Sequence, residues 1–120
     1  MSLRTERVQI PVADGTTMNG YLIRPEGEEP RAAILLLQEI FGVNAHIRSV
    51  AERLAREGYA VLAPDLFHRI EPDYEAGYDD IGASIKLAMQ YTGEHSEADV
   101  RAAADFLAKH PGVKADRIAA

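Results

Sequence analysis

"RAAILLLQEIFGVNAHIRSVAERLAREGYAVLAPDLF", residues 31–67, decides the fold. After Arg31, apolar residues run unbroken to Leu37, without the polar alternation of a half-exposed strand. They read as a parallel strand covered on both faces. Next, Ile47, Val50, Ala51 and Leu54 stand at i, i+3, i+4 and i+7, one face of a helix. Asn44 suits its N-cap and Gly58 its C′ position. Residues 59–67 begin as another short buried strand, which Pro64 stops. Strand, helix and strand in this order make a right-handed parallel crossover.

On the N-terminal side, 5–12 alternates around Val8 and Ile10, and 18–25 reads as a second strand. The turn residues 13–17 between them make a hairpin. On the C-terminal side, 68–80 is a long polar loop, followed by a helix over 81–91 with Ile81, Ile85 and Ala88 inward. A further helix opens with Ser96 and Asp99 as a capping box, carries the stripe Val100, Ala103, Ala104 and Leu107, and ends at Pro111-Gly112. Residues 113–120 approach a last strand, which Ile118–Ala120 enter. The expected fold class is α/β, in one domain over 1–120: a three-layer, mostly parallel sheet with an antiparallel hairpin at its edge. That last strand needs more residues and a covering helix. Either the chain is the first part of a longer protein, or its open sheet edge pairs with another copy.

Composition narrows the function. The chain has 120 residues, 47% hydrophobic and 27% charged, with a net charge of −6. This is an ordinary globular balance. An acidic chain lacks the basic patches that nucleic acid or an anionic membrane requires, so neither is expected as a partner. It has no cysteine, hence no disulfide and no thiol nucleophile of its own. Without a signal-peptide core or a membrane-length apolar run, the expected location is the cytoplasm.

In open α/β sheets, ligands bind at the carboxyl ends of the strands. Glu39 and Asp65 both fall there, one after each buried strand. A carboxylate at the tip of a buried strand is partly desolvated and calls for a partner or a task, so Glu39 is the stronger candidate. Asp65 reads as a loop cap. The turn 39–44 also carries backbone N–H groups that can hold an oxyanion just before a helix. His46 reads as exposed or in contact with a loop, His95 and His110 as exposed, and a lone His68 as a surface residue rather than one that faces the site. No two histidines have metal-ligand spacing, and no cofactor is expected. Ser49 and Ser84 lie inside helices without a G-x-S-x-G elbow. The glycines form no phosphate- or dinucleotide-binding loop. The residues alone thus describe an acidic strand-end site without a complete catalytic set.

Residues 38–69 resemble the dienelactone hydrolase family of α/β-hydrolases. "QEIFGVN" followed by an Arg-bearing helix carries most of the likeness, and "GYAVLAPDLF" adds to it. The remainder, through "HPGVKADRIAA", is similar more weakly. The resemblance implies an α/β-hydrolase fold that stops short of the nucleophile elbow, and hydrolysis of a small ester or lactone by a Cys-His-Asp triad lying beyond Ala120. It assigns Glu39 to contact and activation of the thiol, the Ile40 N–H to half of an oxyanion hole, and Phe41 to an active-site wall. Family members hold a substrate carboxylate with arginines, yet between Arg69 and Arg101 this chain has none, only Lys86. No role for Arg69 or His68 follows from the likeness. The alternative is a non-catalytic binding or self-assembly module. A phospho-receiver domain fits poorly, because the chain opens with a hairpin and no acidic pair follows its first strand.

Overall fold

The computed structural model describes residues 2–120. Five strands form one sheet: β1 (Leu3–Pro11), β2 (Thr17–Pro25), β3 (Arg31–Leu35), β4 (Ala60–Pro64) and β5 (Val113–Ala119), in the order β1-β2-β4-β3-β5. The helices are α1 (Ala45–Arg56), α2 (Ile81–Gln90) and α3 (Gly93–Lys109). β1 and β2 pair as the expected antiparallel hairpin, turned at Gly15 with φ 89°. β2 pairs antiparallel with β4, while β3 pairs parallel with both β4 and β5. β2 is therefore the one reversed strand of a mixed sheet.

β4 holds the middle position, which explains why all five of its residues are buried. Its alternate side chains enter two different cores. Ala60 and Leu62 join Ile10, Met18, Leu22, Ala33 and Leu35 under α3, through Ala103 and Leu107. Val61 packs on the other face with Ile23 and with Ala51 and Ala55 of α1. Each large aliphatic side chain buried this way contributes about 1.5–3 kcal/mol. β3 departs from the expectation of two covered faces. Ala33 and Leu35 are buried towards α3, but Ala32 and Ile34 remain half-buried.

One helix meets its expectation and two need correction. Asn44 caps α1 as foreseen, accepting from the Ile47 N–H at 3.1 Å, and Gly58 follows the C-cap with φ 106°. α2 turns the other way: Ile81 and Ile85 are exposed, and Ser84 is the buried residue, bonded to the Asp80 carbonyl and the Tyr74 hydroxyl. α3 starts earlier, with Thr92 as its N-cap accepting from the His95 N–H. No Ser96–Asp99 capping box forms; Asp99 is wholly buried. β5 likewise starts at Val113 rather than near Ile118, with a register shift against β3 between Arg31 and Ala33. Among the described residues, no helix is long and apolar enough to cross a membrane.

Candidate functional site

β3 and β4 lie side by side and parallel, with Ile34 opposite Val61 and Leu35 opposite Leu62, so their carboxyl ends deliver Glu39 and Asp65 to one edge. Gln38 ties the two exits together. Its Oε1 accepts from the Leu66 N–H at 2.9 Å, and its Nε2 donates to the Glu39 carbonyl at 3.1 Å. An amide serves here because it answers a donor and an acceptor at once.

Beyond Gln38 the chain makes a tight turn, closed by the Gly42 N–H to the Glu39 carbonyl at 3.2 Å. Gly42 has φ 79°, and a Cβ there would collide with the Tyr74 carbonyl. The absent side chain lets the loop after β4 lie directly on the turn. The Ala76 N–H reaches the Phe41 carbonyl at 3.0 Å, and Asn44 Nδ2 reaches the Ala76 carbonyl at 3.0 Å. Arg48 grips both carboxylate oxygens of Glu75 at 3.2 Å and the Val43 carbonyl at 2.8 Å. Turn and loop are thus one assembly.

Glu39 stands at its rim. Its side chain is exposed, against the expectation of a desolvated carboxylate, because the turn carries it past the helices that cover the strands. The Tyr78 hydroxyl donates to Glu39 Oε1 at 3.4 Å. Tyr78 also stands edge-on to Phe41, with ring centroids 4.7 Å apart, and His46 lies 6.0 Å from the same ring. Local desolvation, then the negative charge of Glu39, raises the pKa of the otherwise exposed Tyr78. Phe41 is buried and Ile40 half-buried. Among the described residues, no backbone bond of the turn uses the Ile40 N–H.

Asp65 is a loop cap, as expected. It is buried, and its oxygens accept from the Phe67 N–H at 3.2 Å and the Asp73 N–H at 2.7 Å. Burial raises its pKa, while those two N–H groups pull the other way.

His68 is not a surface residue. It is 7% exposed, with Nε2 2.8 Å from Thr16 Oγ1 and Nδ1 3.2 Å from the Asp65 carbonyl oxygen. Arg69 turns towards α3, where it holds the buried Asp99 through two bonds of 2.9 and 2.8 Å, and Asp14 at 2.6 Å. The Tyr91 hydroxyl donates to Asp99 as well, at 3.0 Å. This network pins the hairpin turn, the loop after β4 and α3 together. His95 and His110 are half-buried rather than exposed, and His110 Nδ1 accepts from the Gly112 N–H. One signal of the network was present in the sequence: Asp99 shares the spacing of Ala103 and Leu107, an acid on the inward stripe of a helix. Among the described residues, no group of three or more His, Cys, Asp or Glu is arranged to hold a metal ion.

The profile of the dienelactone hydrolase family matches residues 18–120. A Synechocystis sp. protein provisionally named a carboxymethylenebutenolidase is 35% identical over 120 residues, covering 98% of this chain and 48% of its own length. A carboxymethylenebutenolidase of Pseudomonas putida is 34% identical over 106 residues, covering 70% of this chain and 44% of that protein. Among solved structures, a Klebsiella pneumoniae protein provisionally described as a dienelactone hydrolase superposes with a TM-score of 0.84 at 33% identity, over 98% of this chain and 48% of that one. The chain spans about half the length of the relatives it matches.

Proposed function

Because this chain belongs to the dienelactone hydrolase family, we propose that residues 1–120 are the first half of an enzyme that hydrolyses a small ester or lactone. The observation that supports this reading is the turn 39–44, locked by the loop after β4, with Glu39 exposed at its rim and the Ile40 N–H in none of the backbone bonds among the described residues. A thiolate supplied from beyond Ala120, with a histidine and an aspartate as its partners, attacks the carbonyl carbon. The leaving alkoxide departs with a proton, and water then cleaves the thioester. Glu39 contacts the resting thiol and assists its ionisation. The Ile40 N–H donates to the oxyanion, whose second donor follows the nucleophile in sequence. Phe41 forms a wall.

The arginines nearest the turn are engaged by this chain's own acids, Arg48 by Glu75 and Arg69 by Asp99 and Asp14. Arg48 and Arg69 are therefore not free to hold a substrate carboxylate, and the reading extends to neutral esters. Intact-mass analysis of the full-length gene product after brief exposure to an activated ester such as 4-nitrophenyl acetate tests it. The expected result is one acyl adduct on a cysteine beyond residue 120. A gene product that ends at Ala120, or one that forms no adduct and releases no nitrophenol, overturns it.

One observation favours a second reading. Among the described residues, β5 pairs only with β3, so its other side is an open edge suited to joining a second copy in a non-catalytic assembly. Light scattering on the 120-residue chain distinguishes this, since a folded monomer would count against it.

A further inference from the structure

Tyr78 joins the polar and apolar parts of the site. Its hydroxyl donates to Glu39 Oε1 at 3.4 Å, and its ring meets Phe41 edge-on at 4.7 Å. His46 flanks the ring at 6.0 Å, so the ring lies between two aromatic neighbours. The loop that bears Tyr78 is built onto the turn that bears Glu39. The Ala76 N–H bonds the Phe41 carbonyl, Asn44 bonds the Ala76 carbonyl, Glu75 pairs with Arg48, and Gly42 seats against Tyr74. These attachments fix the backbone of Tyr78 relative to that of Glu39. The hydroxyl and the carboxylate are both exposed, and they approach each other from backbones that the fold holds in place. With 52% of its surface exposed, Tyr78 adds little to the core, so its contribution lies in what its hydroxyl and ring touch.

We propose that Tyr78 is a positioning residue for Glu39: its hydroxyl aims the carboxylate, and its ring extends the Phe41 wall outward against the apolar part of the substrate. This rests on the catalytic reading of Glu39 given above. A 3.4 Å separation is long for a hydroxyl and a carboxylate, and such bonds shorten when the complex closes. The aim of Glu39 matters during reaction, so losing the hydroxyl lowers kcat. The ring acts on binding, so losing it raises KM.

The test is steady-state hydrolysis of 4-nitrophenyl acetate by the full-length gene product and its Tyr78→Phe, Tyr78→Ala, Glu39→Gln and Glu39→Gln/Tyr78→Phe variants. Tyr78→Phe keeps the ring on Phe41. It should lower kcat about three- to tenfold, the effect of one hydrogen bond of ordinary strength, as suits a long and exposed one, with KM within about twofold. Tyr78→Ala should raise KM in addition. In the Glu39→Gln background, Tyr78→Phe should change kcat by less than about twofold, because the two residues act as one unit. The proposal is overturned if Glu39→Gln slows the enzyme while Tyr78→Phe does not, or if Tyr78→Phe costs the same in both backgrounds. Full activity of Glu39→Gln would instead refute the role of Glu39 itself, and with it the need for a positioning partner.

Discussion

Gly42 shows what one missing carbon permits. At φ 79° any other residue is strained, and its Cβ would enter the Tyr74 carbonyl. Gly42→Ala should cost about 1–3 kcal/mol from backbone conformation alone, with further loss as the loop is pushed off the turn. Urea denaturation measures the first effect, and ester turnover falling faster than stability measures the second. At Asp14, the side-chain bond from Arg69 is the largest of the effects holding the carboxyl well below the usual carboxylate range. A depressed folded pKa gives stability that is present above the unfolded value and lost as pH falls through the folded one. The stability difference between the protein and Asp14→Asn should therefore be steady at neutral pH and close in strong acid. A difference that grows on acidification would contradict the sign. Much at this scale was legible in the sequence. Asn44 as a cap and Asp65 as a loop tie follow from local chemistry, which a residue carries with it. The exposure of Glu39 and the burial of His68 depend on segments distant in sequence, which no local pattern encodes, whereas Asp99 leaves a trace on the inward stripe of α3.

At the scale of elements, a central strand buried throughout should be the least tolerant of truncation. Leu62→Ala in β4 leaves a cavity beside Met18, Leu22 and Leu107 and should cost about 2–5 kcal/mol, measured as a fall in the denaturation midpoint. Met89→Ala, on the exposed side of α2, should change stability by less than about 0.5 kcal/mol. The strands of the hairpin and of the crossover were legible because a period of two and an unbroken apolar run are strong signals. The phase of α2 was not. Its apolar residues fall on more than one face, and what selects the buried side is Ser84, whose hydroxyl finds both the Asp80 carbonyl and Tyr74. Periodicity gives a stripe, but polar satisfaction decides which side can be covered.

At the scale of the molecule, the order β1-β2-β4-β3-β5 leaves β5 paired along one side only. If a further strand of the full-length protein lies against it, the amides of Val113–Ala119 should be protected from hydrogen exchange on both sides of the strand. Rapid exchange of the outward-facing amides would show an edge that stays open. Sheet and candidate site share one property: both are assembled from segments far apart in the chain, so no single stretch of sequence displays either. The proposed function turns on Glu39, the exposed side chain at the sheet edge to which contact with the nucleophile is assigned by proposal. Its most direct test is the hydrolysis of 4-nitrophenyl acetate by the full-length gene product and its Glu39→Gln variant, with thermal unfolding measured in parallel. A catalytic Glu39 predicts a kcat/KM lower by about a hundredfold or more, in the range by which one positioned acid–base group accelerates a reaction, at an unchanged melting temperature. Equal turnover by the two proteins would contradict it.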